Sequence, residues 1–153
     1  MIMDYKEYEK QVELIKKDNK KLLTAFRKEL EDKGLSEKTI GNHINNVSVY
    51  IDYYLCYYEP AAAQEGCNGY AVSSFLGSFF IRKAMWSSPA QVKSTSVSIK
   101  KFYGWMLKAT ELIDKDSYKD LCDTIKSEMP HWQENSRSYN DSILMDNEIE
   151  MLI

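Results

Sequence analysis

Two short stretches hold the residue types best suited to a charged ligand: Ser36-Glu37-Lys38-Thr39 and Ser88-Pro89-Ala90-Gln91-Val92-Lys93. Each reads as the capped first turn of a helix, where unpaired amides and the helix dipole favour an anion. Two such ends on one side of a protein could grip phosphates. The plainer reading is an ordinary N-cap, which most sequences of this kind are.

Catalytic combinations are scarce. His43 and His131 are the only histidines and suggest no zinc site. A glycine-rich phosphate loop and a nucleophile elbow are both missing, and the acids after Glu111 read as a solvated helix face. No enzyme, metal, cofactor or small-molecule substrate is expected. The cluster Tyr50, Tyr53, Tyr54, Tyr57, Tyr58 could stack nucleobases. It lacks interleaved Arg and Lys, however, so packing in a core or interface is the reading the residues favour.

The elements that must position these residues are helices. A chain of 153 residues with only six Gly and three Pro has long stretches in which helices can run, and it is large enough to bury one core. Three cysteines without CxxC spacing suggest neither disulfides nor a zinc ribbon, and with no apolar leader or membrane span a cytoplasmic location is expected. The net charge of -3 is uneven: Lys and Arg number 16 against 12 acids in residues 1–110, and 4 against 11 thereafter. The acidity therefore sits in the last quarter.

Taken in order, a helix is expected from Asp4 to Lys33, with a break or bend at the solvated run Lys16-Lys17-Asp18-Asn19-Lys20-Lys21. Gly34 ends it and Ser36 caps a second helix, which runs to about Tyr58. The second helix has a core stripe of Ile40, Ile44, Val47, Ile51, Tyr54 or Leu55, and Tyr58; Lys38, Asn42, Asn45 and Val49 lie on its far face. A short apolar third helix uses Val72, Phe75, Leu76, Phe79 and Phe80 and ends near Trp86. The fourth helix opens at Ser88 with Pro89 at its first position and Gln91 reaching back to close a capping box. Its core stripe is Val92, Thr95 or Ser96, Ile99, Phe102 or Tyr103, and Met106, opposite Ser94, Lys101 and Lys108. A fifth segment runs from Asp116 to about Met129, capped by Asp114 or Asp116, with Pro130 just past its end. His131 to Asp141 reads as linker, and a new helix is expected to start at Asp146.

The pattern Phe26-x-x-x-Leu30, Gly34-Leu35-Ser36-x-x-Thr39-Ile40, Val47, Ile51, followed by Ser88-Pro89-Ala90-x-Val92 and Ile99-x-x-Phe102-Tyr103-x-Trp105-Met106, resembles the N-terminal core-binding domain of tyrosine recombinases and phage integrases. The resemblance covers roughly residues 20–110. It implies an all-α, SAM-like bundle of four to five helices. It also implies a division into a helical extension (1–19), the core-binding domain (20–130), a linker (131–141) and a truncated opening of the catalytic domain (142–153). The residues Ile143 to Ile153 look like that opening, and the family's catalytic residues would lie beyond it, so the chain would clamp duplex DNA without cleaving it. By position, the resemblance nominates Lys38, Thr39, Asn42 and His43 on the second helix, and Gln91, Lys93, Ser94, Thr95 and Lys101 on the fourth. Gly41, Ser94 and Thr95 stand where relatives commonly carry basic residues, and His43 where a Tyr is usual; fewer phosphate contacts would make binding weaker. The expected partners are double-stranded DNA and, beside it, other recombinase protomers or a second copy of the chain, with no membrane. The alternative is a small helical protein-interaction module that keeps the fold without DNA, suggested by the acidic last quarter and the apolar residues of Ile149 to Ile153.

Overall fold

The computed structural model describes the backbone of residues 4–84 and 87–152, and the side chains of 4–84 and 87–146. Helix α1 spans Tyr5–Asp32 and α2 spans Glu37–Ser48, the latter continuing as a π-turn over Val49–Tyr54. A single turn at Ala63–Gly66 leads to α3 (Gly69–Ser74), a second π-turn (Phe75–Phe79) and α4 (Phe80–Lys83). Helix α5 spans Pro89–Ala109, and α6 spans Lys115–Leu152. Among the described residues there is no strand, so the fold is an all-α bundle, and no helix is long and apolar enough to cross a membrane.

The core is one cluster in which every element takes part. Phe26 and Leu30 of α1, Ile40 and Val47 of α2, Phe75, Leu76 and Phe79 of the second π-turn, Ile99, Phe102 and Met106 of α5, and Leu121 and Trp132 of α6 are all buried in it. Tyr50 and Tyr103 bury their rings and satisfy their hydroxyls on the carbonyls of Gly66 (2.7 Å) and Ala63 (2.6 Å), which pins the Ala63–Gly66 turn to the bundle. Only glycine fits at position 66: an added Cβ would stand 2.6 Å from the Tyr103 hydroxyl and 2.9 Å from the Tyr50 ring. Cys56 and Cys67 are buried thiols, and burial pushes Cys67 up to about 12.

Three expectations are corrected. The first helix has no break at Lys16–Lys21; it runs unbroken because Asn19, the polar residue that interrupts its stripe, is itself buried and occupied. In the π-turn the amide of Leu55 donates to the carbonyl of Tyr50, five residues back, which frees the carbonyl of Ile51. Asn19 Nδ2 donates to that carbonyl at 3.2 Å and to Asp52 Oδ1 at 2.9 Å. Replacing Asn19 by Leu leaves the Ile51 carbonyl without this donor, and a loss of about 1–3 kcal/mol is expected by urea unfolding. An unchanged midpoint would show that the π-turn needs no support from α1.

The same π-turn moves the aromatic register. Tyr54 and Leu55 do pack against the core as expected, but the wider turn advances the chain by one residue, so Cys56 is buried and Tyr58 emerges at 72% exposure instead of joining the core. Tyr50 goes inward, while Tyr53 and Tyr57 stay exposed and pack edgewise or tilted on Phe79. Lys83 lies 5.8 Å over the Tyr57 ring, so the cluster does have a cation beside it.

The third correction concerns the polar stretch 131–141, which is helix, continuous with the segment before it through Pro130. Asp114 is the cap, accepting from the Ser117 amide at 2.8 Å; the hydrogen bond from that amide holds its carboxyl below the usual carboxylate range. Pro130 removes one helix bond, but Trp132 and Ser136, four residues apart, are both buried. Gln133 and Asn135 donate to the carbonyls of Pro89 and Gly77, each at 3.1 Å. Asp146 falls inside this helix and starts nothing. The expected helix end near Trp86 and the side chains of Ile149 to Ile153 lie outside the described residues.

Candidate nucleic-acid interface

Helix α2 lies between α1 and α5, and the nominated residues divide according to which flank carries them. Asn42, Gln91 and Ser94 line one groove of about 380 Å³ between α2 and α5, together with Asn45, Asn46 and Val49, which the resemblance did not nominate. No carboxylate lines this groove among the described residues. Below it runs a chain of hydrogen bonds. Gln91 Nε2 donates to Asn46 Oδ1 (3.3 Å) and to Thr95 Oγ1 (3.2 Å), and Asn46 Nδ2 donates to Ser98 Oγ (3.0 Å). Ser98 Oγ then meets His43 Nδ1 at 2.8 Å. Gln91 is therefore bound to α2 and does not reach back to close a capping box; Ser88 Oγ alone accepts from its amide, at 3.0 Å.

Thr95 is 1% exposed and sits beneath the groove, so its nomination as a contact residue is corrected: the α-helical period that puts it beside Val92 and Ile99 turns it inward. Lys93 is exposed, but it lies on the flank of α5 turned away from α2, one heptad before Lys100, whereas Ser94 and Lys101 share the α2-facing flank. Lys38 and Thr39 occupy the exposed first turn of α2, where the Thr39 amide is capped by Ser36 Oγ at 3.2 Å. Lys38, Asn42, Asn45 and Val49 then follow one line along the outer face of that helix. The side chains of Asn42, Asn45 and Ser94 make no hydrogen bond among the described residues, which leaves their donors and acceptors open.

His43 faces Ser98 from the side of α2. Ser98 Oγ stands between His43 Nδ1 (2.8 Å) and the Ser94 carbonyl (3.3 Å), and which of the two side chains donates in the His43 contact is set by the imidazole tautomer. Partial burial, with the charge of Lys101 second, holds the imidazole below its ordinary value of about 6.5. A depressed folded value means that the unfolded chain takes up this proton first. The stability His43 contributes is complete above pH 6.5 and is lost as pH falls through the folded value. Urea midpoints should therefore fall on acidification below pH 6.5, and His43→Gln should remove that part of the fall; equal slopes in both proteins would contradict it.

The run set aside in the sequence as a solvated break supplies the cations. Lys16, Lys20 and Arg27 line a cleft of about 370 Å³ between α1 and α2, with Ile44 and Asp52 opposite. Arg27 is engaged by Glu37 at 3.3 Å. Asp52 is engaged by Asn19 and by Ser48 (2.9 Å). Lys16, Lys20, Lys38, Lys93 and Lys101 form no ion pair among the described residues. Their i, i+4 spacing on an unbroken helix was the signal that could have found Lys16 and Lys20. In class, then, the protein is a helical bundle with an uncharged amide groove flanked by free lysines. No family model, curated protein or solved structure matches the chain.

Proposed function

We propose that the face formed by α1, α2 and the first half of α5 binds duplex DNA without cleaving it, in the manner of the recombinase core-binding domain that the sequence resembles. Lys16, Lys20, Lys38 and Lys101 hold phosphates, while Asn42, Asn45 and Ser94 meet the edges of bases or sugars. The observation that carries this reading is the set of open amide and hydroxyl groups along a groove with no carboxylate in its lining, with lysines on the helices to either side that form no ion pair among the described residues. Gln91 is the weaker base reader, since its amide nitrogen already serves Asn46 and Thr95.

The test is fluorescence anisotropy with a labelled random duplex at two salt concentrations. Binding that weakens as salt rises is expected, because released counterions drive it. No binding at low salt would overturn the proposal and favour the protein-interaction module.

A further inference from the structure

Helix α6 carries its last buried side chain among the described residues at Ser136 and continues to Leu152, about 24 Å of helix at 1.5 Å per residue. On this overhang Ile143, Leu144 and Met145 are 41%, 61% and 64% exposed. From residue 138 onward the sequence has four acids, Asp141, Asp146, Glu148 and Glu150, and no Lys or Arg. An acidic helix with consecutive bare aliphatic side chains is poorly suited to remaining in water.

At the other end of the bundle, a groove of about 410 Å³ lies between the end of α1, the middle of α5 and the start of α6. Val97, Trp105 and Tyr118 give it an apolar floor, and Lys33, Lys100, Lys101 and Lys108 a basic rim. Glu29, its one acid among the described residues, is held by Lys33 at 3.4 Å. Groove and overhang are thus complementary in both charge and polarity. A chain cannot fill its own groove, because Tyr118 and Leu144 sit on the same continuous helix, about 40 Å apart. Two copies with their α6 helices antiparallel bring each overhang beside the other's groove, and that exchange closes with two-fold symmetry.

We infer that the chain self-associates by docking the acidic apolar end of α6 into the basic apolar groove of a second copy. This groove shares no lining residue with the α2 groove and borders the proposed DNA face only at Lys101, which the variants below leave in place; the test uses no DNA. Sedimentation velocity should show a concentration-dependent dimer that weakens with salt. Leu144→Asp, on an exposed turn where circular dichroism should be unchanged, is expected to give monomer. The double variant Lys100→Glu with Lys108→Glu should also be monomeric, and adding Asp141→Lys with Asp146→Lys should restore the dimer by swapping the charges. A monomer at every concentration, a dimer that survives Leu144→Asp, or a charge swap that restores nothing would each overturn the inference.

Discussion

Trp132→Ala is expected to lower stability by about 3–5 kcal/mol, the range for deleting a fully buried indole. Trp132 is 1% exposed, and its ring lies directly over Gly77: a Cβ there would stand 2.8 Å from Cδ1 and 2.9 Å from Nε1. The contact fixes the second half of α6 against the π-turn at Phe75–Phe79, and Asn135 and Gln133 complete it by bonding the carbonyls of Gly77 and Pro89. The indole also offsets the helix bond lost at Pro130. Truncation should therefore do more than open a cavity. The segment after Pro130 should lose its hold and fray, so far-UV circular dichroism should fall together with the urea midpoint. Gly77→Ala approaches the same contact from the other side and should give a similar loss with the tryptophan in place. A Trp132→Ala protein with the parental midpoint would mean that α6 beyond Pro130 is held by something other than this contact.

That docking also shows why parts of the fold escape a reading of the sequence. Helix α5 was legible because several local signals agree: a Ser cap, Pro89 in the first turn, and an apolar period that buries Val92, Ile99, Phe102 and Met106. The stretch 131–141 was not, because its average polarity hides a narrow buried face, and the groups that Trp132, Gln133 and Asn135 meet, at Gly77 and Pro89, lie more than forty positions away in the chain. Asn19 misled for the opposite reason. A polar residue on an apolar stripe reads as a break until its partner is known, and that partner, the Ile51 carbonyl, is created by a π-turn that leaves no period of its own in the sequence. The tyrosine register failed at the same turn.

The candidate site divides in the same way. Asn42, Gln91 and Ser94 do share a groove, since capped helices with known apolar faces dictate which residues point away from the core. Thr95 was read both as core and as contact, and packing against α2 turns it inward. Lys93 and Lys101 looked equivalent as lysines on one helix, but eight residues turn the helix by about 80°, and of the two it is Lys101 whose charge is felt by His43 on α2. The free cations on α1 belong to the face only once the helix is known to run straight past α2.

Those cations set the last expectation. Each phosphate neutralised on duplex DNA adds about 0.9 to the slope of log affinity against log salt. If Lys16, Lys20, Lys38 and Lys101 each hold one phosphate, affinity should fall about 150-fold between 50 and 200 mM salt. Changing all four to Gln should abolish most of that dependence and weaken binding chiefly at low salt. All four are exposed and form no ion pair among the described residues, so the fold should be unaffected. Lys93→Gln is the internal control, because it removes a charge from the part of α5 turned away from α2 and should leave the slope unaltered. Asn42→Ala with Asn45→Ala should differ in kind, reducing affinity without changing the slope, since amides release no counterions. A quadruple variant with the parental salt slope would remove the α1 and α2 lysines from the interface, and a slope that falls with Lys93 would move the bound face to the other side of α5.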